Sequence, residues 1–150
     1  MPTSRQSPGR DADDPARLFV DSGVWLALPN ARDQHHLDAV ALIRAVGARK
    51  IPLVTTNLVL AEVHRFALFR HGPRVAATAL ARIESSPLLS IEHATQAHHR
   101  AARDWLQRLI DHRLSYTDAV SFAVMDTSRC RAALGFDHDF VMAGFELWRP

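Results

Sequence analysis

Four acidic side chains, Asp21, Glu62, Asp118 and Asp137, stand in settings that a solvated carboxylate does not ordinarily occupy. Asp21 and Asp137 each follow a short apolar run, Leu18-Phe19-Val20 and Ala132-Ala133-Leu134-Gly135-Phe136. Such runs read as buried strands, and in open α/β sheets the functional crevice lies beyond the carboxyl ends of the strands. Glu62 stands inside a helical segment with Leu58 at i−4, Val59 at i−3 and Phe66 at i+4. A helical Glu ordinarily lies on a polar face; one within an apolar stripe requires a partner or a metal. Asp118 opens the nearly apolar stretch DAVSFAVM (118–125), where the exposed amides of a first helical turn stabilise a carboxylate.

Singly, each acid has a plain structural explanation: a cap for Asp118, a turn for Asp21, a loop for Asp137, a buried arginine partner for Glu62. Together those explanations weaken, because all four fall where a parallel α/β fold converges them. Four carboxylates in one pocket repel unless cations lie between them. Oxygen ligands alone select hard ions, Mg²⁺ or Mn²⁺, over zinc.

The elements that must position these acids follow from hydrophobic period and capping signals. Strands are expected at 18–20, 53–55, 88–91 and 132–136, with a short edge strand at 145–147. Helices are expected at 23–28, from 34 to 46 with Gly47 ending it, and from 57 to 69 with Asn57 as cap. Further helices are expected at 74–84, 95–110, and from Ser115 to 126, where Ser115 and Asp118 form an acidic relative of the capping box. Short apolar strands alternating with helices predict a central parallel sheet covered on both faces, a three-layer α/β/α sandwich.

The 150 residues suit one domain with a sizeable core. The start, MPTSRQSPGRDADDPAR, lacks the apolar segment of a signal peptide. Residues 1–16 read as a disordered tail and 17–150 as the folded domain. No window is apolar for long enough to cross a membrane, and a cytoplasmic location is expected. The one cysteine, Cys130, excludes an internal disulfide and reads as a packed thiol. Eighteen basic side chains include a single lysine, Lys50; the arginines are permissive for nucleic acid because their planar donors match phosphate.

Four segments carry a resemblance: LFVDSGVWLAL (18–28), TTNLVLAEV (55–63), LSYTDAVSFAVM (114–125) and ALGFDHDFVMAGF (133–145). In this order and spacing the chain resembles the PIN domain family, and within it the VapC-type ribonuclease toxins. The resemblance covers the chain beyond the tail. It implies that Asp21, Glu62, Asp118 and Asp137 are catalytic metal ligands for Mg²⁺, or Mn²⁺, in hydrolysis of RNA phosphodiester bonds, with 5′-phosphate and 3′-hydroxyl products. Asp139 is a further candidate ligand. The resemblance also implies a homodimer and a cognate antitoxin covering the helices at 58–69 and 74–84. Two positions depart from the family pattern: Gly135 stands where Thr or Ser is frequent, and Gly23 where a hydroxyl residue is frequent, with Ser22 adjacent. An alternative is therefore a catalytically weak or inactive PIN-fold module that binds RNA or protein.

Arg65, one turn after Glu62, and Arg113, just before the Asp118 helix, are candidates for RNA contact. The pairs His35-His36 and His98-His99 are not chelating pairs, because helical neighbours point about 100° apart. Trp25, Trp105 and Phe69 read as core or interface residues rather than base-stacking ones. A haloacid-dehalogenase-type phosphohydrolase is disfavoured because Gly23 stands where its second Asp belongs.

Overall fold

The computed structural model describes residues 13–150. Five strands, β1 (Leu18–Val20), β2 (Leu53–Thr56), β3 (Leu89–Glu92), β4 (Ala132–Leu134) and β5 (Glu146–Leu147), form one sheet in the order β3-β2-β1-β4-β5. Every neighbouring pair is parallel, as the alternation of strand and helix predicts. The order reverses direction between β1 and β4, so the crevice that parallel sheets open at such a switch lies beyond these two strands.

The strand period of two divides the core. Leu18 and Val20 of β1, Leu53 of β2, and Ala132 and Leu134 of β4 face one side. There they pack on α1 (Ser22–Ala27) and α2 (His36–Arg49) through Val24, Ala27, Ala39, Leu42 and Val46. Phe19, Val54 and Ala133 face the other side. They pack on α3 (Asn57–His71), α4 (Pro73–Glu84), α5 (Gln96–Arg108), α6 (Tyr116–Thr127) and the single turn α7 (Asp139–Met142). Three layers result, with α6 the most enclosed helix: residues 119–125 are all buried.

Several boundaries differ from the sequence expectation. Gly47 does not end α2; the helix runs through it to Arg49 and stops where Lys50 turns left-handed (φ 53°), donating its amide to the carbonyls of Gly47 and Val46. The cap of α3 is Thr56, whose hydroxyl accepts the Val59 amide at 3.1 Å. Asn57 instead uses its side-chain oxygen to accept the Ala94 amide at 2.9 Å, tying α3 to the segment after β3. The strand expected at 132–136 ends at Leu134, so Asp137 lies in a loop beyond the sheet, and α7 was not foreseen.

Residues 1–12 of the expected tail lie outside the described residues. Its end is not a tail: Asp14, with its side chain 2% exposed, pairs with Arg49 at 2.8 Å. Cys130 is buried and free, and burial pushes its thiol up to about 11. Among the described residues no helix is long and apolar enough to cross a membrane.

Candidate active site

Asp21 follows β1 and is the N-cap of α1, yet its side chain makes no capping hydrogen bond. Its amide donates to the Leu134 carbonyl at 3.0 Å, extending the β1–β4 ladder by one residue. The Thr55 hydroxyl donates to the carbonyl of the preceding residue, Val20, at 2.8 Å. The backbone is thus held on both sides while the carboxylate points into the crevice. Asp21 is only 6% exposed, and its Oδ1 is buried without a hydrogen-bond partner. Burial pushes its pKa up to about 7; the charge of Asp118 adds to this, followed by Glu62 and Asp137, against a lowering by the Ser22 amide.

Asp118 enters from the first turn of α6. Ser115, the N-cap, accepts the Asp118 amide at 3.1 Å and donates its hydroxyl to Asp118 Oδ2 at 2.9 Å. The sequence showed this pair as a cap; the structure gives the same hydroxyl a second task, orienting the carboxylate. Burial raises the Asp118 pKa to about 6, the Ser115 hydrogen bond lowers it, and Asp137, Glu62 and Asp139 raise it.

Asp137 is exposed and accepts the Asp139 amide through Oδ1 at 2.9 Å. That turn starts α7 and brings Asp139 inward. Ligand oxygens of Asp118, Asp137 and Asp139 lie within 4.8 Å of one another, so Asp139 belongs to the cluster. Its pKa is raised by burial and by Asp137, and lowered by His112 and His138. His112 is a neighbour that sequence spacing did not reveal, because it reaches the site from the loop after α5.

Glu62 is half-buried on α3 and its charge acts on both Asp21 and Asp118. Its setting differs from the expected apolar stripe. The buried face of α3 is Val59, Val63 and Ala67, while Phe66 is 42% exposed and Leu58 half-buried. Glu62 thus borders the core rather than penetrating it. Arg65 is exposed on the same helix, its guanidinium 5.0 Å from the Phe69 ring centre. Arg113 is exposed between α5 and α6. Phe69 is not core at all: it is 73% exposed.

Gly135, one residue past β4, presses on Asp21. A Cβ there would stand 3.4 Å from the Asp21 Cβ. Beside it, Arg149 donates to the Gly135 carbonyl at 3.1 Å, and Phe136 stacks on His35 at 4.1 Å between ring centres. These contacts hold the loop that carries Asp137.

Among the described residues none of the five acids is paired with an arginine or lysine. Like charges with no arginine or lysine partner, and one buried oxygen unpartnered, fit a hard divalent cation. A parallel sheet with carboxylates gathered beyond its switch point, from β1, α3, α6 and the loop after β4, defines an acidic α/β centre of the kind that serves phosphodiester chemistry. The PIN domain model matches residues 18–146. The chain belongs to the PIN domain family, with the likeness of its VapC-type ribonucleases. It is 40% identical over 134 residues to the 23S rRNA-specific endonuclease VapC20 of Mycobacterium tuberculosis, covering 89% of this chain and 98% of that protein. It is 26% identical to a VapC ribonuclease of Archaeoglobus fulgidus, covering 87% and 85%. The crystal structure of M. tuberculosis VapC20, described as a sarcin–ricin loop cleaving toxin, superposes with a TM-score of 0.77 at 37% identity, covering 89% and 99%. VapBC2 from Rickettsia felis shares the fold (TM-score 0.62) at 11% identity, covering 87% and 96%. The chain is accordingly an endoribonuclease of the toxin type.

Proposed function

We propose that Asp21, Glu62, Asp118 and Asp137, with Asp139 as a further ligand, hold Mg²⁺ or Mn²⁺ and that the chain hydrolyses RNA phosphodiester bonds there, leaving 5′-phosphate and 3′-hydroxyl ends. The observation that carries this reading is the buried, unpartnered Oδ1 of Asp21 in the charge field of Asp118, Glu62 and Asp137, beside the Asp118–Asp137–Asp139 cluster. When bound, such a cation makes water a competent nucleophile near neutral pH and stabilises charge on the leaving oxygen. The protein's part is to orient: Ser115 sets the angle of Asp118, the Asp139 amide that of Asp137, and Thr55 and Leu134 fix the backbone on either side of Asp21.

For the substrate we infer 23S ribosomal RNA, which supports a cytoplasmic location. Its support is the 40% identity to VapC20, a 23S rRNA-specific endonuclease by name, along nearly the whole of both chains. For the partner, an antitoxin segment suits the apolar groove between α1, α3 and α4, lined by Trp25, Leu26, Val63, Ala67, Val75 and Ala79 and about 260 Å³ in volume. A homodimer is the expected assembly of the toxin.

Cleavage mapping on ribosomes and total RNA tests the reading. Wild-type protein with Mg²⁺ should cut 23S rRNA at one position; EDTA, Asp21→Asn or Asp118→Asn should each reduce the rate at least about a hundredfold, the scale of removing a key transition-state interaction. Undiminished cutting in EDTA or in either variant overturns the metal mechanism. Specific cutting of another RNA overturns the substrate alone.

A further inference from the structure

We propose that the outer face of the second half of α3, formed by Arg65, Phe66, Phe69 and Arg70, is a stacking platform for unpaired nucleobases of the RNA strand entering the acidic centre. This rests on the ribonuclease reading above and adds a binding subsite to it. Phe69 is 73% exposed and Phe66 42% exposed, large apolar surface that the fold itself leaves in water. Each ring carries a guanidinium: Arg65 lies 5.0 Å from the Phe69 centre and Arg70 lies 5.2 Å from the Phe66 centre.

These four side chains and Glu62 line one shallow depression of about 500 Å³. Glu62 therefore belongs both to this depression and to the charge field of Asp21 and Asp118. At about 1.5 Å per residue, Phe69 lies roughly 10 Å along the helix from Glu62, within a few nucleotides of a phosphate held at the acids.

The charge pattern selects the occupant. Residues 63–70, VHRFALFR, contain two arginines and no acid, next to a centre that is otherwise anionic. A strand of phosphates crossing the acids finds its counter-charges here, and aromatic rings beside them stack any base, because every base has a π-face. A polypeptide partner has a better surface on the far side of Phe66. The groove lined by Trp25, Leu26, Val63, Ala67, Val75 and Ala79 is mostly apolar, with Asn30, Asp33 and His71 also lining it, and lacks arginine. Phe66 is the ridge between the two surfaces, lining both.

The test uses the Asp21→Asn protein, so that RNA stays intact, and a single-stranded oligonucleotide carrying 2-aminopurine. Adding Phe69→Ala should weaken binding roughly tenfold and remove the fluorescence change, and Phe69→Trp should restore both. Arg65→Gln with Arg70→Gln should flatten the salt dependence by about 0.7 in log–log slope for each phosphate no longer neutralised. With Asp21 intact, Phe69→Ala should raise KM more than it lowers kcat. Wild-type binding and cleavage by Phe69→Ala overturns the platform. So does a change in oligomeric state with RNA binding preserved, which assigns the face to a protein partner. If the unaltered protein cuts no RNA yet binds the probe in a Phe69-dependent way, the ribonuclease reading fails and the platform stands.

Discussion

Gly135 lies against Asp21: a Cβ on Gly135 would stand 3.4 Å from the Asp21 Cβ and 3.9 Å from its Oδ2, with Leu147 Cδ2 also at 3.9 Å. The space admits a small side chain in van der Waals contact and little more. A hydroxyl there would face a carboxylate whose Oδ1 has no partner. Gly135→Ser should therefore fold normally and lower the Asp21 pKa from about 7, because a donated hydrogen bond favours the charged form. The measurement is the pH dependence of Mg²⁺ affinity, whose acid limb should move to lower pH. Gly135→Val, too large for the gap, should cut activity instead. An unmoved profile in the serine variant refutes this account of the Gly135 corner.

The metal-free protein should become less stable as pH rises. Asp21 and Asp118 have folded pKa values of about 7 and about 6, both raised from 3.8. The folded state binds more protons than the unfolded chain between these values, so stability falls as pH climbs through them. The cost is complete above about pH 7 and relieved as pH falls towards 4. For Asp21, 6% exposed, it is on the order of a few kcal/mol. Melting in EDTA should give a higher Tm at pH 6 than at pH 8, and Asp21→Asn should flatten most of that slope. Mg²⁺ should raise Tm chiefly at pH 8. A Tm in EDTA that rises from pH 6 to pH 8 contradicts the assignment.

Ser115 serves both the helix and the site. Ser115→Ala loses the cap to the Asp118 amide and the donor to Asp118 Oδ2. Denaturation should show a loss of about 1 kcal/mol, and Mg²⁺ affinity should drop roughly 10- to 100-fold, as for other residues that orient a ligand. Ser115→Thr should restore both. A variant that loses stability but keeps its Mg²⁺ affinity confines Ser115 to capping.

The domain should begin before Arg17. Asp14 is buried against Arg49, whose guanidinium also lies 5.6 Å from the Trp148 ring centre. Deleting residues 1–16 should cost about 1–3 kcal/mol in urea denaturation, the range for losing a charged hydrogen bond, and Asp14→Ala should reproduce most of it. If neither change shifts the midpoint, the anchor contributes nothing.

Much of the site was legible because its acids break local rules. Asp118 starts an apolar helix, and Asp21 follows an apolar strand; both are buried or half-buried, and burial is the largest cause of the raised pKa of each. Glu62 was singled out for a reason that held only in part. Helical spacing tells which residues share a stripe, but exposure depends on what packs there, and among the described residues Phe66 stays 42% and Phe69 73% exposed. Asp139 stayed an auxiliary candidate because its inward turn depends on the Asp137 side chain accepting its amide, a local geometry that residue order does not reveal.

The sequence by itself determined the alternation of strands and helices and the parallel sheet, and it singled out the candidate acids, since these follow from periods and caps within a dozen residues. Only the tertiary structure decided the order β3-β2-β1-β4-β5, which sets Asp21 beside Gly135 and brings Asp118, Asp137 and Asp139 within 4.8 Å of one another. The first of those relations joins segments about a hundred residues apart. They depend on which faces bury one another, a property of the whole packed core rather than of any stretch of chain.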